Sequence, residues 1–221
     1  MPIEALIFDL DGTLVDTAPD LIVATNHALQ LAGRRPISDE QLRAFVGHGA
    51  ISLLKQGLAA TGELPDEATI LGLRDKFIDF YHENIAVKSR VFDGLEAVLQ
   101  AAQAQGLKLG VCTNKPEKLS LRLLKDIGLA PYFGAVVGGD TLPVLKPDPE
   151  PYFEVARRLG VDPKNTIMIG DSETDIRTAK NAGVPVIAVS FGYTPKHVSA
   201  FDPDHVIDHY DEAWPIMARY V

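Results

Sequence analysis

The sequence has a single cysteine, Cys112, so no disulfide can form within the chain, and a reducing, cytoplasmic setting is the expectation. It has no apolar run near the ~20 residues that a bilayer-spanning helix needs, and its start, MPIEAL, lacks the basic then apolar pattern of a secretion signal. Basic residues are scarce too. Lys and Arg number 21 against 30 Asp and Glu, a net charge of −9, which argues against nucleic acid and anionic membranes as partners because both need a basic face. Any anionic ligand must then be held by a few local cations. Internal repeats, low-complexity tracts and long linkers are also missing. What is present, 221 residues of 46% hydrophobic content, suffices for a buried core, as one large domain or as a domain with a sizeable insertion. Composition does not distinguish a monomer from a homodimer.

From Gly94 onward short β-rich runs alternate with helical patterns. LKLGVCT (107–113), GAVVG (134–138), TIMIGD (166–171), VPVIAVS (184–190) and HVI (205–207) read as buried strands. Gly106, Gly128, Gly160 and Gly183 close the helices between them, and Asn114-Lys115-Pro116 and Asp148-Pro149 look like helix starts. With EALIF (4–8) as the first strand, this order predicts an α/β fold, a three-layer, Rossmann-like core around a mainly parallel sheet. Ligands of such sheets bind at the carboxyl ends of the strands. Residues 16–89 break the alternation with helical patterns alone, among them SDEQLRAFVG, opened by a Ser38 and Gln41 capping box. The expected organisation is therefore a discontinuous core, 1–15 and 90–221, with a helical domain, 16–89, hinged at the two crossings and placed to act as a lid.

The chemistry is concentrated at predicted strand ends. Asp9 and Asp11 follow the first strand at a spacing of two, just before a turn at Gly12, and two like charges so close call for a cation or a proton. That spacing suits either a metal site or a nucleophile with an acid/base partner, and equally an ordinary Asp and Gly turn. Thr113 and Asn114 end the next strand with a hydroxyl and a helix start suited to phosphate oxygens. Lys146 precedes a Pro-started helix, and Asp171 and Asp175 stand where another strand meets its helix. Each feature has a bland explanation alone, as a cap, a solvated charge or an answer to the helix dipole. Two carboxylate pairs, a hydroxyl and a lysine at neighbouring strand ends are harder to explain that way. Carboxylates from two strands suit Mg²⁺, and lysine and hydroxyl complement a phosphoryl group.

In order and spacing, DLDGT, TNK, KP and GDSETD resemble the four motifs of the haloacid dehalogenase-like phosphohydrolase superfamily, along essentially the whole chain. The helical insertion resembles that superfamily's small α-helical cap, and DGTLVDTAPDL with FVGHGA resembles its phosphoglycolate phosphatase members. The resemblance implies that Asp9 attacks phosphorus to form an aspartyl phosphate, while Asp11 protonates the departing alkoxide and then activates water. It implies that Thr113 and Lys146 bind the phosphoryl oxygens, with Gly12 and Asn114 beside the substrate. Mg²⁺ would sit on Asp9, the Asp11 carbonyl and Asp171, with Asp175 near it. Members that cleave C–Cl or C–P bonds lack a carboxylate at the place of Asp11, so a phosphomonoester is the expected substrate. Among small phosphorylated metabolites, 2-phosphoglycolate comes first, with a sugar phosphate or pyrophosphate as the alternative. His48, between glycines in VGHGA, is the cap residue expected to meet the substrate carboxylate. A receiver-type phospho-acceptor domain also places carboxylates, a hydroxyl and a lysine at strand ends. The cap and Asp11, which promotes loss of the phosphoryl group, argue against it.

Overall fold

The computed structural model describes residues 2–43, 45–46, 49–194 and 196–220, with Arg43 described by its backbone alone. The first strand, β1 (Ala5–Phe8), is buried at all four positions, as a strand covered on both faces must be. Leu6 and Phe8 point into one apolar layer, shared with Leu95, Leu99 and Leu123. Ala5 and Ile7 point into the other, with Tyr152, Val155 and Ile176. The period of two thus divides β1 between both faces of the sheet.

Short segments follow at the first crossing, β2 (Val15–Asp16), and then four helices, α1 (Ala18–Leu31), α2 (Asp39–Arg43), α3 (Ala50–Thr61) and α4 (Glu67–Glu83). Helices α1, α3 and α4 pack on one another, burying Leu29, Leu54, Leu58 and Phe77, and this cluster is continuous with the layer that receives Leu6 and Phe8. Helix α4 starts at Asp66, whose carboxylate accepts a 2.7 Å bond from the Thr69 amide, as an N-cap does. The Ser38 box before α2 has an Oγ accepting from the Gln41 amide at 3.4 Å.

The chain re-enters the sheet through β3 (Arg90–Val91), α5 (Leu95–Ala104), β4 (Lys108–Cys112), α6 (Glu117–Asp126), β5 (Ala135–Val137), α7 (Glu150–Leu159), β6 (Thr166–Gly170), α8 (Glu173–Ala182), β7 (Val186–Val189), β8 (His205–Ile207) and α9 (Ala213–Met217). Six strands form one sheet in the order β5-β4-β1-β6-β7-β8, every neighbouring pair parallel. Helices α5 and α6 cover one face, α7 and α8 the other. This is the three-layer α/β architecture expected. The sequence order reverses direction at β1, between β4 and β6, which opens a crevice at their carboxyl ends. Among the described residues no helix is long and apolar enough to cross a membrane.

The two crossings are paired with each other, which the sequence did not indicate. Val15 and Asp16 pair antiparallel with Val91 and Arg90, so the strand-like segments entering and leaving the helices lie side by side. Two-residue strands have no periodicity to betray them.

Candidate active site

Immediately after β1, the Asp9 amide donates to the Ile169 carbonyl at 2.9 Å, which keeps the chain in register with β6 as it leaves the sheet. The turn that follows has Gly12 at φ +86°, and a Cβ there would stand 2.6 Å from Asp171 Oδ2. Gly192, from the loop after β7, presses on the same carboxylate, with a notional Cβ at 2.1 Å. No larger residue fits at either place without moving Asp171. Asp171 itself ends β6 and accepts from Thr13 Oγ1 at 3.2 Å and from the Tyr193 amide at 2.8 Å. It is therefore held from two segments at once, the turn after β1 and the loop after β7.

Asp175 begins the adjoining helix. Its carboxylate accepts from the Ser172 amide at 3.1 Å and the Ser172 hydroxyl at 2.6 Å, while Ser172 Oγ accepts from the Asp175 amide at 3.3 Å, a capping box that fixes the side chain. Asp9, Asp171 and Asp175 form a buried triad, each offering an oxygen within 4.8 Å of the others. Lys146 Nζ lies between two of them, 2.8 Å from Asp9 Oδ1 and 2.6 Å from Asp175 Oδ1.

Three buried carboxylates and one bonded ammonium leave an excess of negative charge. Burial pushes the Asp9 carboxyl up to about 6, against the pull of Lys146. Asp171 is pushed well above the usual carboxylate range, by burial first and then by Asp175 and Asp9. For Lys146 burial acts in the opposite direction, but Asp175 and Asp9 prevail and hold it above its ordinary value. An all-oxygen cluster still short of positive charge fits a hard divalent cation.

The Asp11 carboxylate faces elsewhere. Lys115 Nζ donates to its two oxygens at 2.9 and 3.2 Å and to the Tyr81 hydroxyl of α4 at 2.7 Å. Thr113 is buried at the end of β4, and its Oγ1 accepts from the Lys115 amide at 3.2 Å. Asn114 clamps the lysine loop: its amide nitrogen donates to the Lys146 carbonyl at 3.1 Å and its oxygen accepts from the Lys146 amide at 3.0 Å. At the helix start after Asn114, Pro116 has no N–H and the Glu117 amide donates to Asp140 at 2.7 Å. His48 lies outside the described residues.

The sequence-derived residues Asp9, Asp11, Thr113, Asn114, Lys146, Asp171 and Asp175 all line one cavity, and Gly12 supports its floor from behind Asp171. Leu21, Leu53, Phe77 and Tyr81 form its opposite wall. Sequence reasoning missed Lys115 and Tyr81. The lysine stands in the TNK motif but reads there only as part of a helix start, and only the fold brings α4 over it.

A parallel α/β sheet with a lysine-bridged acidic cluster at its switch point, covered by an inserted helical segment, defines an enzyme of hydrolase type. The sequence model of haloacid dehalogenase-like hydrolases matches residues 6–189, and the chain belongs to that family. It is 43% identical over 206 residues to a phosphoglycolate phosphatase of Mesorhizobium japonicum, covering 93% of this chain and 91% of that one. A phosphoglycolate phosphatase of Caulobacter vibrioides is 44% identical over 202 residues, 91% of this chain and 85% of the relative. A crystal structure described as a predicted phosphoglycolate phosphatase from Haemophilus somnus superposes with a TM-score of 0.91 at 31% identity, covering 97% of each chain.

Proposed function

We propose that the chain is a Mg²⁺-dependent phosphomonoester hydrolase acting on 2-phosphoglycolate, through an aspartyl phosphate on Asp9. The observation that carries this reading is the Asp9–Lys146–Asp175 bridge beside Asp171, taken with relatives named phosphoglycolate phosphatase over nine-tenths of the chain. Asp9, Asp171 and Asp175, with the Asp11 carbonyl, would hold the cation. When bound, Mg²⁺ supplies the positive charge that lets carboxylates and a phosphate dianion share one site.

The chain's own groups then divide the work. Lys146, 2.8 Å from Asp9 Oδ1, orients that carboxylate and offsets charge on the transferring group. An Asp9 oxygen forms a bond to phosphorus while the ester P–O bond breaks, and Asp11 gives its proton to the leaving alkoxide. In the second half Asp11 takes a proton from water, the water oxygen bonds to phosphorus and the Asp9–phosphorus bond breaks. Thr113, at the end of the strand beside β1, offers its hydroxyl to a phosphoryl oxygen. Helices α1–α4 serve as a cap: they put an apolar wall opposite the carboxylates, which excludes water and limits the substrate to a small molecule. A cytoplasmic location accords with a metabolite substrate.

The test is phosphate release from 2-phosphoglycolate, glucose 1-phosphate and pyrophosphate in Mg²⁺ buffer. The expected result is the highest kcat/KM for 2-phosphoglycolate, and a loss of at least roughly a thousandfold in Asp9→Asn. Preference for a sugar phosphate or pyrophosphate would overturn the substrate, and an active Asp9→Asn would overturn the attack.

A further inference from the structure

We propose that Lys115 is the specificity-determining cation of this site, binding the substrate's carboxylate and, in doing so, releasing Asp11 for its proton transfer. The inference rests on the phosphoglycolate reading above and assigns the group that recognises the part of the substrate that is not phosphate. Among the described residues the only cations lining the cavity are Lys146 and Lys115. Lys146 is already committed to Asp9 and Asp175. The facing wall, with Leu21, Leu53 and Phe77, is apolar apart from the Tyr81 hydroxyl. Among the described residues, a second anionic group on the substrate therefore has Lys115 to turn to.

The position suits the chemistry of the substrate. In 2-phosphoglycolate one methylene separates the ester oxygen from the carboxylate. Asp11 must come within ~2.6–3.2 Å of that ester oxygen to protonate it, and Lys115 Nζ is 2.9 Å from Asp11. The ammonium is thus two hydrogen bonds removed from the ester oxygen, with Asp11 between them, where the substrate carboxylate arrives. It is also a carboxylate site already, with its side chain only 4% exposed and anchored on Tyr81 at 2.7 Å. Of its three donors, the one to Asp11 Oδ2 is the longest, at 3.2 Å. A substrate carboxylate that takes over this donor leaves Asp11 on Lys115 by the 2.9 Å bond to Oδ1 alone and frees Oδ2 to turn to the ester. An alkyl phosphate has nothing to exchange.

The experiment compares kcat/KM for 2-phosphoglycolate and for ethyl phosphate in the wild type, Lys115→Met and Lys115→Gln. Removing Lys115 takes away the carboxylate's partner and leaves Asp11 unrestrained for both substrates, so the ratio loses both the contact and the release that only 2-phosphoglycolate obtains in the wild type. The wild type is expected to prefer 2-phosphoglycolate, and the ratio to fall roughly ten- to a hundredfold in both variants, the worth of one charge-assisted hydrogen bond. Lys115→Arg, which keeps a cation, is expected to recover part of the preference. Should either uncharged variant keep the wild-type ratio while both rates fall together, Lys115 only positions Asp11 and the assignment is overturned with the substrate reading intact. A wild type with no preference overturns the substrate reading and this assignment with it.

Discussion

Lys146 bonds two of three clustered carboxylates and has a side chain only 3% exposed, so its removal is a direct measure of what the cluster costs. Breaking a buried pair by deleting one partner destabilises by roughly 3–5 kcal/mol, because the charge left behind is neither solvated nor paired. Lys146→Met should lose about that much at pH 8 without metal, in urea unfolding. The deficit should shrink at pH 5. There Asp9, already raised to about 6 with the lysine present, can discharge itself by taking a proton. An equal loss at both pH values would mean that the cluster does not titrate in this window. Residues of this kind were legible in the sequence because an acid directly after an apolar strand, or a lysine just before a Pro-started helix, is conspicuous. Lys115 was not, because its burial depends on Tyr81, 34 positions earlier in the chain, and no local pattern links the two. Asp140, which occupies the Glu117 amide at the start of α6, is hidden for a related reason, since it comes from beyond β5.

At the scale of elements, the sheet could be read because each of its strands is a short apolar run bounded by turn residues. The paired crossings could not, and they are where the helical segment is fastened. Asp20, in the first turn of α1, accepts from the amides of Lys88 at 3.0 Å and Ser89 at 2.8 Å and from the Ser89 hydroxyl at 2.7 Å. One buried carboxylate thus ties the first crossing to the second. Tyr193 joins them to the core: its hydroxyl donates to Asp16 at 2.7 Å and accepts from the Ala18 amide at 3.0 Å, while its own amide holds Asp171. In sequence Asp20 reads as a helix N-terminal acid and nothing more. Asp20→Ala strands the buried Ser89 amide and leaves the Ser89 hydroxyl only the Ile85 carbonyl at 3.3 Å, and should cost roughly 1–3 kcal/mol, the penalty of an unsatisfied buried group. Asp20→Asn, which keeps one acceptor, should fall between the two. Unfolding midpoints that do not separate the three proteins would show that the clasp contributes nothing to stability.

For the whole molecule the acidic cluster couples folding, protons and metal. Asp9 rises from 3.8 to about 6 on folding, and Asp171 rises as well, so the folded, metal-free chain binds protons that the unfolded chain has released. Stability changes with pH in proportion to protons bound unfolded minus protons bound folded. That difference is negative here. The site's contribution therefore becomes less favourable as pH rises from about 4 through about 6, opposite to the usual salt-bridged carboxylate. Lys146, held above its ordinary value by Asp175 and Asp9 despite burial, stays charged throughout and does not reverse the sign. A divalent cation binds the ionised carboxylates of the folded chain and must displace those protons first. Its stabilisation, RT ln(1 + [M]/Kd), accordingly grows as the protons leave. The shift in Tm on adding millimolar Mg²⁺ should be small at pH 5, large at pH 8, and lost in Asp171→Asn, which removes one ligand and one charge. Thermal unfolding with and without Mg²⁺ at the two pH values checks this. A shift independent of pH, or one that survives in Asp171→Asn, would place the cation somewhere other than this cluster.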